Sequence, residues 1–194
     1  TNDFRVNLDY VLQLNAQTNG TSALWVATSF SHRDLEWRVR VKMDCSPSAN
    51  NFVRIYLVSD SVLSSNYKRA FFLQLGENLS DDAIELFMEE ENQVTSICRG
   101  RDGRIANPFE VDIKVTLEQH SYWKIWVDEK LMGNYELDSW GVAPIFQHQA
   151  AVGIYCQYTS SNKNKFFFDN FYYGLPQIDT LPPQVINITS TNNY

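Results

Sequence analysis

Glu36-Trp37-Arg38-Val39-Arg40-Val41-Lys42-Met43-Asp44-Cys45 alternates without a break. Trp37, Val39, Val41, Met43 and Cys45 share one parity, and Glu36, Arg38, Arg40, Lys42 and Asp44 share the other. Successive side chains of a strand point to opposite faces, so this segment has one apolar and one charged face. That is the signature of an antiparallel sheet with one wet side. Phe109-Glu110-Val111-Asp112-Ile113-Lys114-Val115-Thr116-Leu117 alternates equally cleanly. Further strands are predicted at Tyr10–Leu14, Leu24–Phe30, Phe52–Ser59, Ala70–Leu75, Ala83–Met88, Gln93–Cys98, Tyr122–Val127, Asn134–Leu137, Ala151–Tyr158 and Lys165–Tyr173. Many short strands between turn signals describe an all-β chain folded as an antiparallel two-sheet sandwich. Asn19-Gly20 and Asp102-Gly103 carry the turn chemistry. Asp81 to Asn92, after the cap-like Ser80, is the one helix candidate, and its own alternation restricts it to a single turn. The predicted core includes Trp37, Val39, Val41, Phe109, Val111 and Ile113, joined by Trp25 and Trp123.

The chain has 194 residues, with 44% hydrophobic and 20% charged, which is a globular balance. Sixteen Lys and Arg against 23 Asp and Glu give a net charge of -7, which disfavours a nucleic-acid partner. No apolar run approaches the roughly 20 residues of a membrane-spanning helix, so membrane insertion is not expected. Thr1 is not an initiator Met, so the chain reads as processed or excised from something longer. Cys45, Cys98 and Cys156 lack metal-ligand spacing. Cys45 and Cys156 share parity with apolar neighbours and read as buried thiols, with no disulfide.

Catalytic motifs are weak. Glu110-Val111-Asp112 resembles the start of the carboxylate strand of family 16 glycoside hydrolases. Val115, or Lys114 in the unbulged spacing, stands where a third carboxylate would be needed, and neither supplies the proton a leaving group requires. Glu110 and Asp112 therefore read as the wet face of a strand. His32, His120 and His148 sit in polar surroundings, and no nucleophile elbow or phosphate loop is present. The run Glu77, Asp81, Asp82, Glu85, Glu89, Glu90, Glu91 offers oxygen ligands but no EF-hand spacing.

Two features point to binding. Aromatics make up 14% of the chain. Trp126, Tyr135, Trp140 and Tyr158 are less clearly core than the other large rings, and Trp126, Trp140 and Tyr158 are the chief candidates for a platform on which sugar rings stack. Asp169 lies inside Phe166-Phe167-Phe168-Asp169-Asn170-Phe171-Tyr172-Tyr173, which predicts a largely buried carboxylate. Such a group needs backbone or side-chain donors, a metal ion or a ligand contact.

The order of these segments resembles a family: the N-terminal jelly-roll module, concanavalin- or laminin-G-like, of secreted multidomain surface proteins from Gram-negative gut and marine bacteria. The matching segments run from Tyr10-Val11-Leu12-Gln13-Leu14 through Glu36–Met43, Val53–Asp60, Val111–Thr116 and Trp123–Asp128 to Val152–Thr159 and Phe166–Tyr172. The resemblance covers residues 4 to 174. It implies a secreted or cell-surface, non-catalytic binding or adhesion module, directed at glycans, with other domains downstream. A degraded glycoside hydrolase and a structural spacer are the alternatives. Related jelly rolls hold a structural calcium near the Asp of the last strand, which corresponds to Asp169. Residues 1–174 are expected to form the jelly roll. Residues 175–194, with Leu181-Pro182-Pro183, are expected to form a linker or the start of an Ig-like domain.

Overall fold

A computed structural model describes residues 3–29, 32–60, 69–77, 81–91, 93–136 and 150–177. Among these residues it has strands and no helix. One sheet, sheet A, is ordered β1 (Phe4–Val6), β2 (Leu12–Leu14), β13 (Phe166–Gly174), β4 (Leu35–Met43), β9 (Phe109–Glu118), β10 (Tyr122–Val127), β11 (Lys130–Glu136). The other, sheet B, is ordered β3 (Gly20–Thr28), β12 (Ala150–Tyr158), β5 (Phe52–Ser59), β6 (Arg69–Leu75), β7 (Ile84–Glu90), β8 (Gln93–Arg99). Every pairing is antiparallel. The two charged-face segments, β4 and β9, pair with each other from Leu35↔Leu117 to Met43↔Phe109. Their apolar parities therefore coincide on one face.

That face forms the core with the inner face of sheet B. Trp37, Val39, Val41, Val111 and Ile113 are buried as expected, and Phe109 packs against them at the margin. Trp123 is fully buried, stacked on Trp37 at 5.8 Å and close to Phe71 at 5.1 Å. Burying each such side chain contributes about 1.5–3 kcal/mol, so the fold needs no cross-link. All three cysteines are free, and Cys45 and Cys156 are buried.

Four local expectations change. The short β1 was not anticipated, because three residues are too few to show a period. The predicted strand from Tyr10 starts at Leu12, since Tyr10 itself takes a left-handed φ of 62° in the preceding turn. The helix candidate is strand β7, whose backbone is satisfied on both sides by β6 and β8. Trp25 is not in the main core. It belongs to a second cluster on the outer face of sheet B, with Tyr56, Ala70, Phe72, Phe87 and Tyr155. Register places Trp25, Gly153, Tyr56, Phe72 and Phe87 in one row across five strands. The Trp25 ring leans over Gly153 to reach Tyr56 at 4.7 Å. Tyr56 and Phe72 are buried, so this row offers no open ring face at its centre.

Candidate functional site

The charged parity of β4 and β9 makes the outer face of sheet A, and register turns it into a grid. One row reads Asp169–Arg40–Asp112 across β13, β4 and β9. The next reads Tyr172–Arg38–Lys114–Trp126, reaching β10. Arg38, Arg40, Asp112, Lys114 and Trp126 of these rows floor a groove of about 1030 Å³ whose rim includes Asp128, Glu129, Asn170 and Gln177.

Local backbone geometry shapes both rims. Asp128 and Glu129 form the two-residue connection between β10 and β11, with φ of 49° and 65°. Left-handed geometry at both positions is that of a type I′ hairpin turn. Asp128 Oδ1 accepts from the Asp112 backbone N–H at 2.9 Å, its own N–H donates to the Asp112 carbonyl at 2.8 Å, and Arg104 donates to its carboxylate. On the opposite side the β4–β13 ladder slips between Asp169 and Tyr172. Asn170 takes a φ of 54° there, a conformation Asn tolerates better than most residues, and the slip is a β-bulge.

The charges are unevenly satisfied. Arg40 donates to both carboxylate oxygens of Asp112, at 2.9 and 2.8 Å, and lies 3.8 Å from Glu110. The bond and charge of Asp112 hold the Arg40 guanidinium above its ordinary pKa, and Glu110 and Asp169 add to this. Arg38 donates from Nε to Glu36 at 2.5 Å. Lys114 differs: its ammonium lies over the Trp126 ring, 4.2 Å from the centroid, and among the described residues no carboxylate forms an ion pair with it. A cation on an indole face keeps its charge available to an incoming group.

The anticipated residues fare differently. Trp126 is half-buried and lines the groove, with one ring face shared with Lys114. Tyr158 is not part of any platform. It is 5% exposed, edge-on to Phe166 at 6.3 Å, and its hydroxyl hydrogen-bonds the Ser22 hydroxyl at 2.6 Å. It forms the floor of a separate cleft edged by Asn19, Asn50, Thr159 and Ser161. Trp140 and His148 lie outside the described residues.

Asp169 is a correction. The aromatic run puts Phe166 and Phe168 in the core, but Asp169 has the opposite parity and is half-exposed beside Arg40. Arg40 is its cross-strand neighbour, and the Asp169 charge adds to those that raise the Arg40 pKa. Among the described residues no group of three or more His, Cys, Asp or Glu side chains is placed to hold a metal ion. Part of the acidic run is ion-paired: Arg99 pairs with Glu77 and Glu85, and also with Asp102, and Arg69 pairs with Glu90. His120 donates from Nε2 to the His32 carbonyl at 3.0 Å.

Arg38 and Lys114 were not singled out as site residues. Alternation put Arg38 and Lys114 on a wet face, yet only the register of β4, β9, β10 and β13 sets them in line with Trp126.

No family model matches the chain, and no curated protein matches it in sequence. Similar solved structures include the carbohydrate binding module CBM66 from Bacillus subtilis, at 12% identity and a TM-score of 0.59, covering 88% of this chain and 89% of that one. The carbohydrate recognition domain of Emp47p is 15% identical with a TM-score of 0.61, covering 89% and 87%. An alginate lyase from Pseudomonas aeruginosa is 11% identical with a TM-score of 0.52, covering 91% and 87%. At these identities the likeness establishes the fold: the chain is an all-β jelly roll of two antiparallel sheets.

Proposed function

We propose that this chain is a non-catalytic glycan-binding module whose ligand lies in the groove on the outer face of sheet A. The observation that carries this reading is the run Arg38–Lys114–Trp126 on the groove floor, two cations leading to an indole on an open face. Sugars combine apolar ring faces with hydroxyls, so an aromatic beside hydrogen-bond donors suits them. Two neighbours of the same fold are named for carbohydrate binding or recognition, which supports the ligand class. The alginate lyase among the neighbours keeps an enzymatic alternative in view. Against it, Arg40 engages both Glu110 and Asp112, the carboxylates that resemble a hydrolase strand. The resemblance of residues 4 to 174 to surface modules supports export, adhesion and placement beside further domains.

A glycan array probed with the chain, followed by titration of the best ligand against Trp126→Ala and Lys114→Gln, tests the site. Each variant is expected to weaken binding at least tenfold while keeping the parent's circular dichroism. Silence across the array, or affinity unchanged in both variants, would refute it. Turnover of a bound oligosaccharide would favour the hydrolase alternative.

A further inference from the structure

A second space lies between the sheets. It has a volume of about 360 Å³ and is walled by Leu24, Val26, Trp37, Leu57, Val152 and Phe171, with other apolar side chains behind them. Close-packed interiors contain few voids larger than a water molecule. This one is roughly twice the 150 Å³ cavity that stays dry and takes up benzene. Its walls give water almost nothing to hydrogen-bond, so water is a poor occupant.

The space is open at one edge, for reasons that can be traced. Val26 shares the core-facing parity of Ser22 and Leu24 on β3, yet it is 60% exposed. On the facing sheet, the bulge after Asp169 leaves the segment opposite Val39 without an inward-packed ring, because Phe171 is 52% exposed. Among the described residues the seam between β3 and β13 is therefore open beside Val26, with Tyr173 donating to the Ser29 carbonyl further along it, and both Val26 and Phe171 line the cavity behind it. Arg38 is the charged member of that lining among the described residues, and it borders the polar groove as well.

We propose that this cavity binds the hydrocarbon chain of a small anionic amphiphile, with its head group held near Arg38. The volume fits on the order of a dozen carbon atoms, scaled from the benzene case. The cavity is a separate space from the glycan groove, and the two share Arg38 at their border.

The test is thermal denaturation and calorimetric titration of the whole chain with n-decanoate at pH 7.5, with n-butanoate and n-decanol as comparisons. Decanoate is expected to raise the melting temperature in a saturable way and butanoate to leave it unchanged. Arg38→Gln is expected to weaken decanoate at least threefold and to leave decanol unaffected. Val152→Phe, which fills the cavity from β12, should abolish the response and be at least as stable as the parent. Val26→Trp, at the exposed mouth, should block binding without disturbing the fold. Three results would overturn the proposal. One is no saturable decanoate response in the parent. Another is an undiminished response in Val152→Phe or Val26→Trp. The third is a large loss of stability in Val152→Phe with no decanoate effect in the parent, which would mean that the space is already filled by the chain itself.

Discussion

Gly153→Ala is the sharpest single perturbation available. Gly153 lies on β12, opposite Trp25 of β3, with its missing side chain on the outer face. An added Cβ would stand 2.3 Å from Trp25 Cε3 and 2.7 Å from the Leu24 carbonyl oxygen. The ring can swing away only by giving up its 4.7 Å contact with Tyr56. The carbonyl cannot move freely, because Leu24 is paired with Ile154 in the β3–β12 ladder. Overpacking of this kind costs about 1–3 kcal/mol. Replacing a strand glycine returns about 0.5–1 kcal/mol through the reduced entropy of the unfolded chain. The net expectation is about 1 kcal/mol, or a fall in melting temperature of about 2–4 °C for a chain of this size. Urea denaturation with fitted m-values is the assay. In a Trp25→Ala background the cost of Gly153→Ala should fall by about half, as coupled neighbours require. A Gly153→Ala variant within about 0.5 kcal/mol of the parent, or the same cost in both backgrounds, would refute the close-approach reading.

Arg99→Gln should cost about 1–2 kcal/mol at neutral pH, because three partly exposed pairs are lost together and Glu77, Glu85 and Asp102 are left facing one another. The loss should shrink in 1 M salt, and a salt-independent cost in urea melts would contradict this. Asp82 is buried, and desolvation raises its folded-state pKa. Its contribution to stability is therefore present below the unfolded carboxyl pKa and lost as pH rises through the folded one. Asp82→Asn should accordingly gain on the parent between about pH 3 and neutrality, and a pH-independent difference in melting temperature would count against that. Burial pushes the Cys45 thiol up to about 11 and Cys156 well above its ordinary value, so both should resist native thiol labelling at pH 8 and react after unfolding. Mass spectrometry should show no gain on reduction. Asp169→Ala should cost under about 1 kcal/mol, since a half-exposed carboxylate in register with Arg40 is a surface charge; a larger loss in urea melts would restore the buried reading.

Alternation in Glu36–Cys45 and Phe109–Leu117 was enough to determine two half-wet strands, the identity of the apolar face and hence the antiparallel sandwich, because a strand's period of two is a local property of the backbone. The same local rule told Arg38, Arg40, Asp112 and Lys114 apart from the core. It could not say which of these meet, because cross-strand register is set by segments distant in the chain: β4 takes β9 on one side and β13 on the other. Trp25 shows the limit plainly. Its apolar neighbours suggested the core, yet parity alone does not say which face of β3 is inside, and the pairing of β3 with β12 sends the ring outward over Gly153. Asp169 shows it again, since a dense aromatic run marks an interior strand but not the direction of each side chain. The bulge at Asn170 and the open seam beside Val26 belong wholly to the tertiary structure. Both arise where two sheets built from distant segments meet imperfectly, and no residue type in the sequence encodes that mismatch by itself.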